Sequence, residues 1–204
     1  VGAALKLHSV DVVGEARKKS AAINLFRSMQ PNVLLIDMHK TTESSVEIAN
    51  AIRKEAPTIG VVILVACADV RLFGEDVSHL PSGSLLVLKS TINTVNALCD
   101  AISASRSFEP DTPVSWVNGG VTLHDKESRS LMSKLSDLQI ETLRHVANGL
   151  TNAEIGRLRF VSEKAIEQIV SRIAQVLNVH PDQGKNTRVQ LVSEYFRWIG
   201  APRL

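Results

Sequence analysis

Three uninterrupted apolar runs punctuate the first half of the chain: NVLLIDM at 32–38, VVILVAC at 61–67 and SLLVLKS at 84–90. A strand covered on both faces needs apolar side chains pointing both ways, so these runs predict buried parallel strands rather than the alternating strands of a half-solvated sheet. Between them the spacing turns helical. Residues 19–29 place Ala22, Leu25 and Met29 on one face, and further helices are expected over about 44–55, 71–79 and 91–105. Residues 1–9 contain an amphipathic piece, and DVVGEA at 11–16 reads as a short strand ending in a turn. Strands alternating with helices predict right-handed crossovers and a doubly wound α/β sheet.

The pattern changes after residue 105. Residues 106–134 carry Pro110, Pro113, Gly119 and Gly120 among polar neighbours, which is linker composition with a short helix expected over 125–131. From Leu135 the chain is helical again, in three short segments divided at Gly149 and before Ser162. Ser136 precedes Gln139 by three residues and Thr151 precedes Glu154 by three, so both satisfy the capping-box spacing; Ser162 opens the third segment without a box partner. Apolar positions recur at helical spacing: Leu138, Leu143 and Val146 with Thr142, then Ile155 and Leu158, then Ile166, Ile169, Val170 and Ile173. HPDQGKN at 180–186 reads as a loop, and Thr187 is placed to cap a last helix bearing Val189, Leu191, Val192, Tyr195, Phe196 and Ile199. In that helix core packing and pairing with a second copy compete for the same apolar positions, and Trp198 is either a partner contact or the cover of the core. The domains expected are 1–105 (α/β), 106–134 (linker) and 135–204 (all-α).

Composition narrows the function classes. The 204 residues are 44% hydrophobic, enough for real cores in two domains and incompatible with a disordered chain. No run approaches a membrane span and no secretory leader pattern opens the chain, so the expected compartment is the cytoplasm, with no membrane partner. Cys67 and Cys99 are isolated and the six histidines are scattered, which gives no disulfide framework and no metal-ligand spacing. A phosphate-binding glycine loop and a nucleophile with a credible base are both missing, so an enzyme is not expected. The net charge of +2 lies wholly after residue 134, where nine Lys and Arg face seven Asp and Glu. Its sign suits a nucleic-acid partner, although an excess of two is small for a set of phosphate contacts.

The stretch ETLRHVANGLTNAEIGRLRFVSEKAIEQIVSRI resembles the LuxR-type helix-turn-helix that closes NarL/FixJ-type response regulators. The resemblance implies a scaffold helix from about Asn152, a tight turn near Phe160 and Val161, and a recognition helix from Ser162 that enters the major groove of promoter DNA. Carried over position by position, the DNA-contact candidates are Thr151, Asn152, Ser162, Lys164, Ala165, Glu167, Gln168, Ser171 and Arg172. Two positions depart from the family pattern: Glu167 stands where Lys or another donor is common, and Ile169 where His is frequent. A carboxylate repels phosphates but can accept from cytosine N4, so Glu167 fits a narrowed base preference or a unit that has become a protein-interaction module.

The front half resembles the receiver domain of the same family, whose sheet has the flavodoxin-like order, with the first strand apparently missing here. Asp37, at the end of NVLLID, matches the family's phosphoacceptor, and Lys89, at the end of SLLVLK, matches the lysine that contacts the phosphoryl group. The family's Mg²⁺-holding acidic pair has no counterpart after Val1, and Val65 stands where a Ser or Thr switch would be. Mg²⁺ needs several oxygen ligands, so it is expected as a cofactor only if the receiver is phosphorylated. Either the chain is a piece of a longer protein, which is preferred, or the sheet closes with DVVGEA beside NVLLID. The expectation is a phosphorylation-independent regulator acting as a homodimer on double-stranded DNA. A conventional regulator phosphorylated on Asp37 by a sensor kinase remains open.

Overall fold

The computed structural model describes residues 5, 8, 10–38, 45–92, 94–108, 111–117, 131–179 and 186–200. The chain forms two compact units, one from 1–66 and 76–122, the other from 67–75 and 123–204.

The first unit is built on a four-stranded, all-parallel sheet in the order β1 (Val33–Met38), β2 (Gly60–Val65), β3 (Leu85–Leu88) and β4 (Ser115–Trp116). Register runs from Val33 opposite Gly60 to Met38 opposite Val65, then from Val62 opposite Leu85 to Val65 opposite Leu88. All six residues of β2 are buried, as expected of the β-branched run at the sheet's centre. The described helices of this unit are α1 (Lys19–Met29), α2 (Ser45–Glu55) and α3 (Val95–Ala104). Val62, Leu64 and Val87 pack with Leu98, Ala101 and Ile102 of α3. Helix α2 lies against β1 and buries Val46, Ala49 and Ile52, and α1 packs on α2 through ion pairs Lys19–Glu47 (3.0 Å) and Arg27–Glu55 (2.7 Å). This is the doubly wound α/β arrangement the apolar runs predict.

Several local expectations are corrected. DVVGEA is not a strand and does not pair with β1; Val10 and Val12 instead pack their side chains against the core, a requirement that needs no ladder. The supposed linker contributes β4, in which Ser115 N–H donates to Ser84 and Val117 N–H to Leu86. The helix expected over 71–79 splits into two 3-10 turns, Val70–Phe73 and Val77–His79. Asp69 and Asp76 each cap one turn, and Gly74, at φ 90°, ends the first. In α1 the buried anchor is Phe26, and Met29 is exposed. Helix α3 starts at Val95, capped by the Thr94 hydroxyl. The helix expected over 125–131 and most of the loop at 180–186 lie outside the described residues.

The second unit contains α4 (Asp137–Ala147), α5 (Asn152–Arg159), α6 (Glu163–Val176) and α7 (Thr187–Trp198). One cluster joins Ile140 and Leu143 of α4, Ile173 and Ala174 of α6, and Leu191, Tyr195 and Trp198 of α7; a second joins Val146, Ile155 and Ile166. Trp198 is therefore core. Leu138 and Leu158, placed on apolar faces by their spacing, are exposed. The N-cap of α7 is Asn186, whose side chain accepts from Arg188 and Val189 N–H, one residue before the Thr187 expected. The second unit also takes in residues 67–75, which the sequence assigns to the α/β domain; Cys67 and Leu72 are buried in its main cluster.

Candidate nucleic-acid interface

Capping sets the angles of the reading motif. Ser136 and Gln139 form a complete capping box at the start of α4, and Thr151 and Glu154 form another at the start of α5. In the second box Thr151 Oγ1 accepts from Glu154 N–H (3.2 Å), while the Glu154 carboxylate accepts from Thr151 N–H (2.7 Å) and its hydroxyl (2.8 Å). The Thr151 backbone N–H, then its hydroxyl, hold the Glu154 carboxyl below the usual carboxylate range. Between the boxes, Gly149 takes the left-handed conformation (φ 86°) that ends α4. Its N–H donates to Val146 and that of Leu150 to His145, the paired bonds of a Schellman stop.

Helix α5 ends in the same way, but with Phe160 in the left-handed position (φ 56°). Phe160 N–H donates to Arg157 and Val161 N–H to Gly156, after which Ser162 starts α6 by accepting from Ala165 N–H (3.2 Å). The turn is thus only Phe160 and Val161, where the sequence places it. An ion pair and two hydrogen bonds clamp the motif from outside: Arg159 reaches the Glu141 carboxylate of α4, and Arg188 of α7 donates to Asn152 Oδ1 (2.8 Å) and to the Leu150 carbonyl. Burial lowers the Arg188 pKa, yet a guanidinium keeps its charge under any such shift.

Helix α6 then presents a continuous polar face. Its 14 residues extend about 21 Å, and Lys164 and Arg172 lie about 12 Å apart along it. Lys164, Glu167, Gln168, Ser171 and Arg172 are all exposed, and among the described residues none of their side chains has a hydrogen-bond or ion-pair partner. Ile166 and Ile173 point the other way, into the core. Of the nine candidates, Thr151 and Ser162 are exposed but spend their hydroxyls as caps, Ala165 is half-buried, and Asn152 gives its oxygen to Arg188. Sequence reasoning missed Leu158 (58% exposed) and Phe160 (96%), which with exposed Val161 leave an apolar patch at the turn. No local signal distinguished them, because the outward turn of Leu158 goes with Arg159 pairing to Glu141 on another helix.

In the first unit, Asp37 and Lys89 meet at the carboxyl ends of β1 and β3, with Lys89 Nζ 2.5 Å from Asp37 Oδ1 and both side chains accessible, at 39% and 42%. Crevices beyond such strand ends are where open α/β sheets bind ligands. Val65, at the end of the intervening strand, is fully buried and has no hydroxyl to offer. Among the described residues no group of three or more His, Cys, Asp or Glu is placed to hold a metal ion. These residues alone do not make a Mg²⁺ site.

A capped scaffold helix, a two-residue turn and a second helix with a free polar face define a helix-turn-helix DNA-binding unit. Residues 133–185 match the family described as bacterial regulatory proteins, luxR family. Relatives extend the similarity over most of the chain. LnrK, a transcriptional regulatory protein of Bacillus subtilis (strain 168), is 24% identical over 176 residues, covering 83% of this chain and 80% of LnrK. The response regulator protein VraR of Staphylococcus epidermidis is 25% identical over 170 residues, covering 83% and 79%. A solved structure described as two RcsB dimers bound to two parallel DNAs has a TM-score of 0.48 at 21% identity, covering 94% of this chain and 90% of that one. The chain is a DNA-binding transcription regulator that is similar to response regulators over most of its length. Among the described residues no helix is long and apolar enough to cross a membrane.

Proposed function

We propose that the chain binds double-stranded promoter DNA as a homodimer, with α6 in the major groove, and that the α/β unit supports this without phosphoryl transfer. The carrying observation is the exposed, unpartnered face of α6, with Lys164 and Arg172 at its two ends. A helix about 10–12 Å across fits a major groove about 12 Å wide, and the 14 residues of α6 run about 21 Å along it. Lys164 and Arg172 supply phosphate or guanine contacts, Gln168 suits adenine and Glu167 suits cytosine N4. The homodimer reading is supported by α7, where Val189 (64% exposed) and Phe196 (37%), seven residues apart, lie exposed while Leu191, Tyr195 and Trp198 are buried. A chromosome-wide map of bound DNA, repeated with Lys164→Ala, tests the reading: occupancy falls at most sites. Unchanged occupancy refutes the assignment of α6.

Phosphorylation independence is supported by Val65, whose side chain cannot bond a phosphoryl oxygen. A conventional switch has one observation in its favour, the accessible Asp37 carboxylate beside Lys89. In that reading a sensor kinase supplies the phosphoryl group and Mg²⁺ is required. Incubation with acetyl phosphate and Mg²⁺ distinguishes the two by intact mass: no phosphoryl adduct is expected, and an adduct lost in Asp37→Asn establishes the switch.

A further inference from the structure

We infer that residues 67–75 are a positioning part of the DNA-binding unit rather than a removable cover of it. These residues leave the first unit after β2, enter the second, and return. Leu72 is fully buried there, in the same cluster as Leu143 of α4, Ile173 and Ala174 of α6, and Leu191 of α7. The strap therefore shares a core with the inner face of the helix that reads DNA.

Two polar anchors and one close approach hold it. The buried Tyr195 hydroxyl donates to the Leu72 carbonyl (2.8 Å). Arg71 spans two sites at once: Nε and Nη2 reach the Asp69 carboxylate, and Nη1 reaches Asp137 Oδ1 (2.7 Å) and the Leu135 carbonyl (3.2 Å). Its Nη2 also donates to the Met132 carbonyl (3.1 Å), so one guanidinium ties down the chain entering α4. Gly74, with φ 90°, lies under the Arg144 guanidinium. None of these contacts involves Lys164, Glu167, Gln168, Ser171 or Arg172, which stay exposed with the strap in place. A cover would occlude that face; a positioning element would leave it free and brace it from behind. The observed contacts are of the second kind.

The affinity readout rests on the DNA-binding reading; a thiol readout does not. Cys67 is buried in the strap's end of the core, and peptide-resolved labelling distinguishes it from Cys99. In the full chain, a maleimide should label Cys67 much more slowly than the unfolded chain, and saturating duplex should leave that rate unchanged. Leu72→Ala should speed Cys67 labelling and amide exchange in α4 and α7, and should weaken duplex binding about tenfold, with Leu72→Met restoring both because it conserves volume. Several-fold faster Cys67 labelling on duplex addition would overturn the inference, as would equal or tighter duplex binding by a folded Leu72→Ala. If Leu72→Ala does not fold, the labelling of the unsubstituted chain with and without duplex decides. Loss of duplex binding by the unsubstituted chain would instead count against the DNA-binding reading, and Cys67 protection would still report on the strap.

Discussion

Phe160 combines a backbone conformation that L-residues avoid with a side chain that is almost wholly in solvent. A left-handed non-glycine residue costs about 1 kcal/mol, and at this position little burial offsets it. Phe160→Asn, which tolerates that conformation, should therefore raise the melting temperature by a few degrees, as read by calorimetry on the full chain. A lower melting temperature would mean that the ring makes a contact the folded unit needs. Glu167 invites a different test. As the one carboxylate among the five side chains of the exposed α6 face, it repels phosphates, so Glu167→Gln should strengthen binding to random-sequence duplex a few-fold at low salt and relax base preference. Residue spacing alone did not find these details. Leu158 and Arg159 are neighbours, and a helical period cannot say which of two adjacent positions faces inward when an arginine stem and a Glu141 partner compete with a leucine.

Helix boundaries were more legible than helix faces. Ser136, Thr151 and Ser162 all cap as their spacing predicts, because a cap depends on residues three apart and on nothing distant. Thr151→Ala should cost about 1 kcal/mol and loosen the start of α5, visible as faster amide exchange there. The same box has a pH signature. Glu154 is held below its unfolded value, so its contribution is present at neutral pH and is lost as pH falls through the lowered value, below the ordinary carboxylate range. Thr151→Ala should therefore flatten the acid limb of the stability profile; an identical limb would show that the box carries no linked stability. The elements the sequence hid are those fixed by distant partners. Strand β4 is only two residues long and exists because Leu85 and Leu86 offer it a ladder. Residues 67–75 read as the end of an apolar run plus a helix, and their membership of the second unit depends on Tyr195, more than a hundred residues away.

For the molecule as a whole, three apolar runs and a set of caps were enough to specify a parallel α/β unit and a helix-turn-helix unit, since burial and capping are both local demands on composition. The candidate DNA face was legible through Lys164, Gln168 and Arg172, which are exposed, whereas the secondary duties of Thr151, Ser162 and Asn152 required coordinates. Asp37→Asn should leave regulation of a target promoter within about twofold of normal in a reporter assay, well under the tenfold that 1.4 kcal/mol represents. A large loss would restore the phosphorylation switch. The net charge of +2 is too small to drive binding by itself, so the proposed reading draws affinity from the few cations on the exposed face of α6. Duplex affinity of the full chain measured against salt concentration tests this most directly. The account predicts a linear fall of log affinity with log salt, and a slope reduced by about one for each copy of Lys164→Ala or Arg172→Ala engaged with phosphate. A slope that neither substitution changes would contradict it.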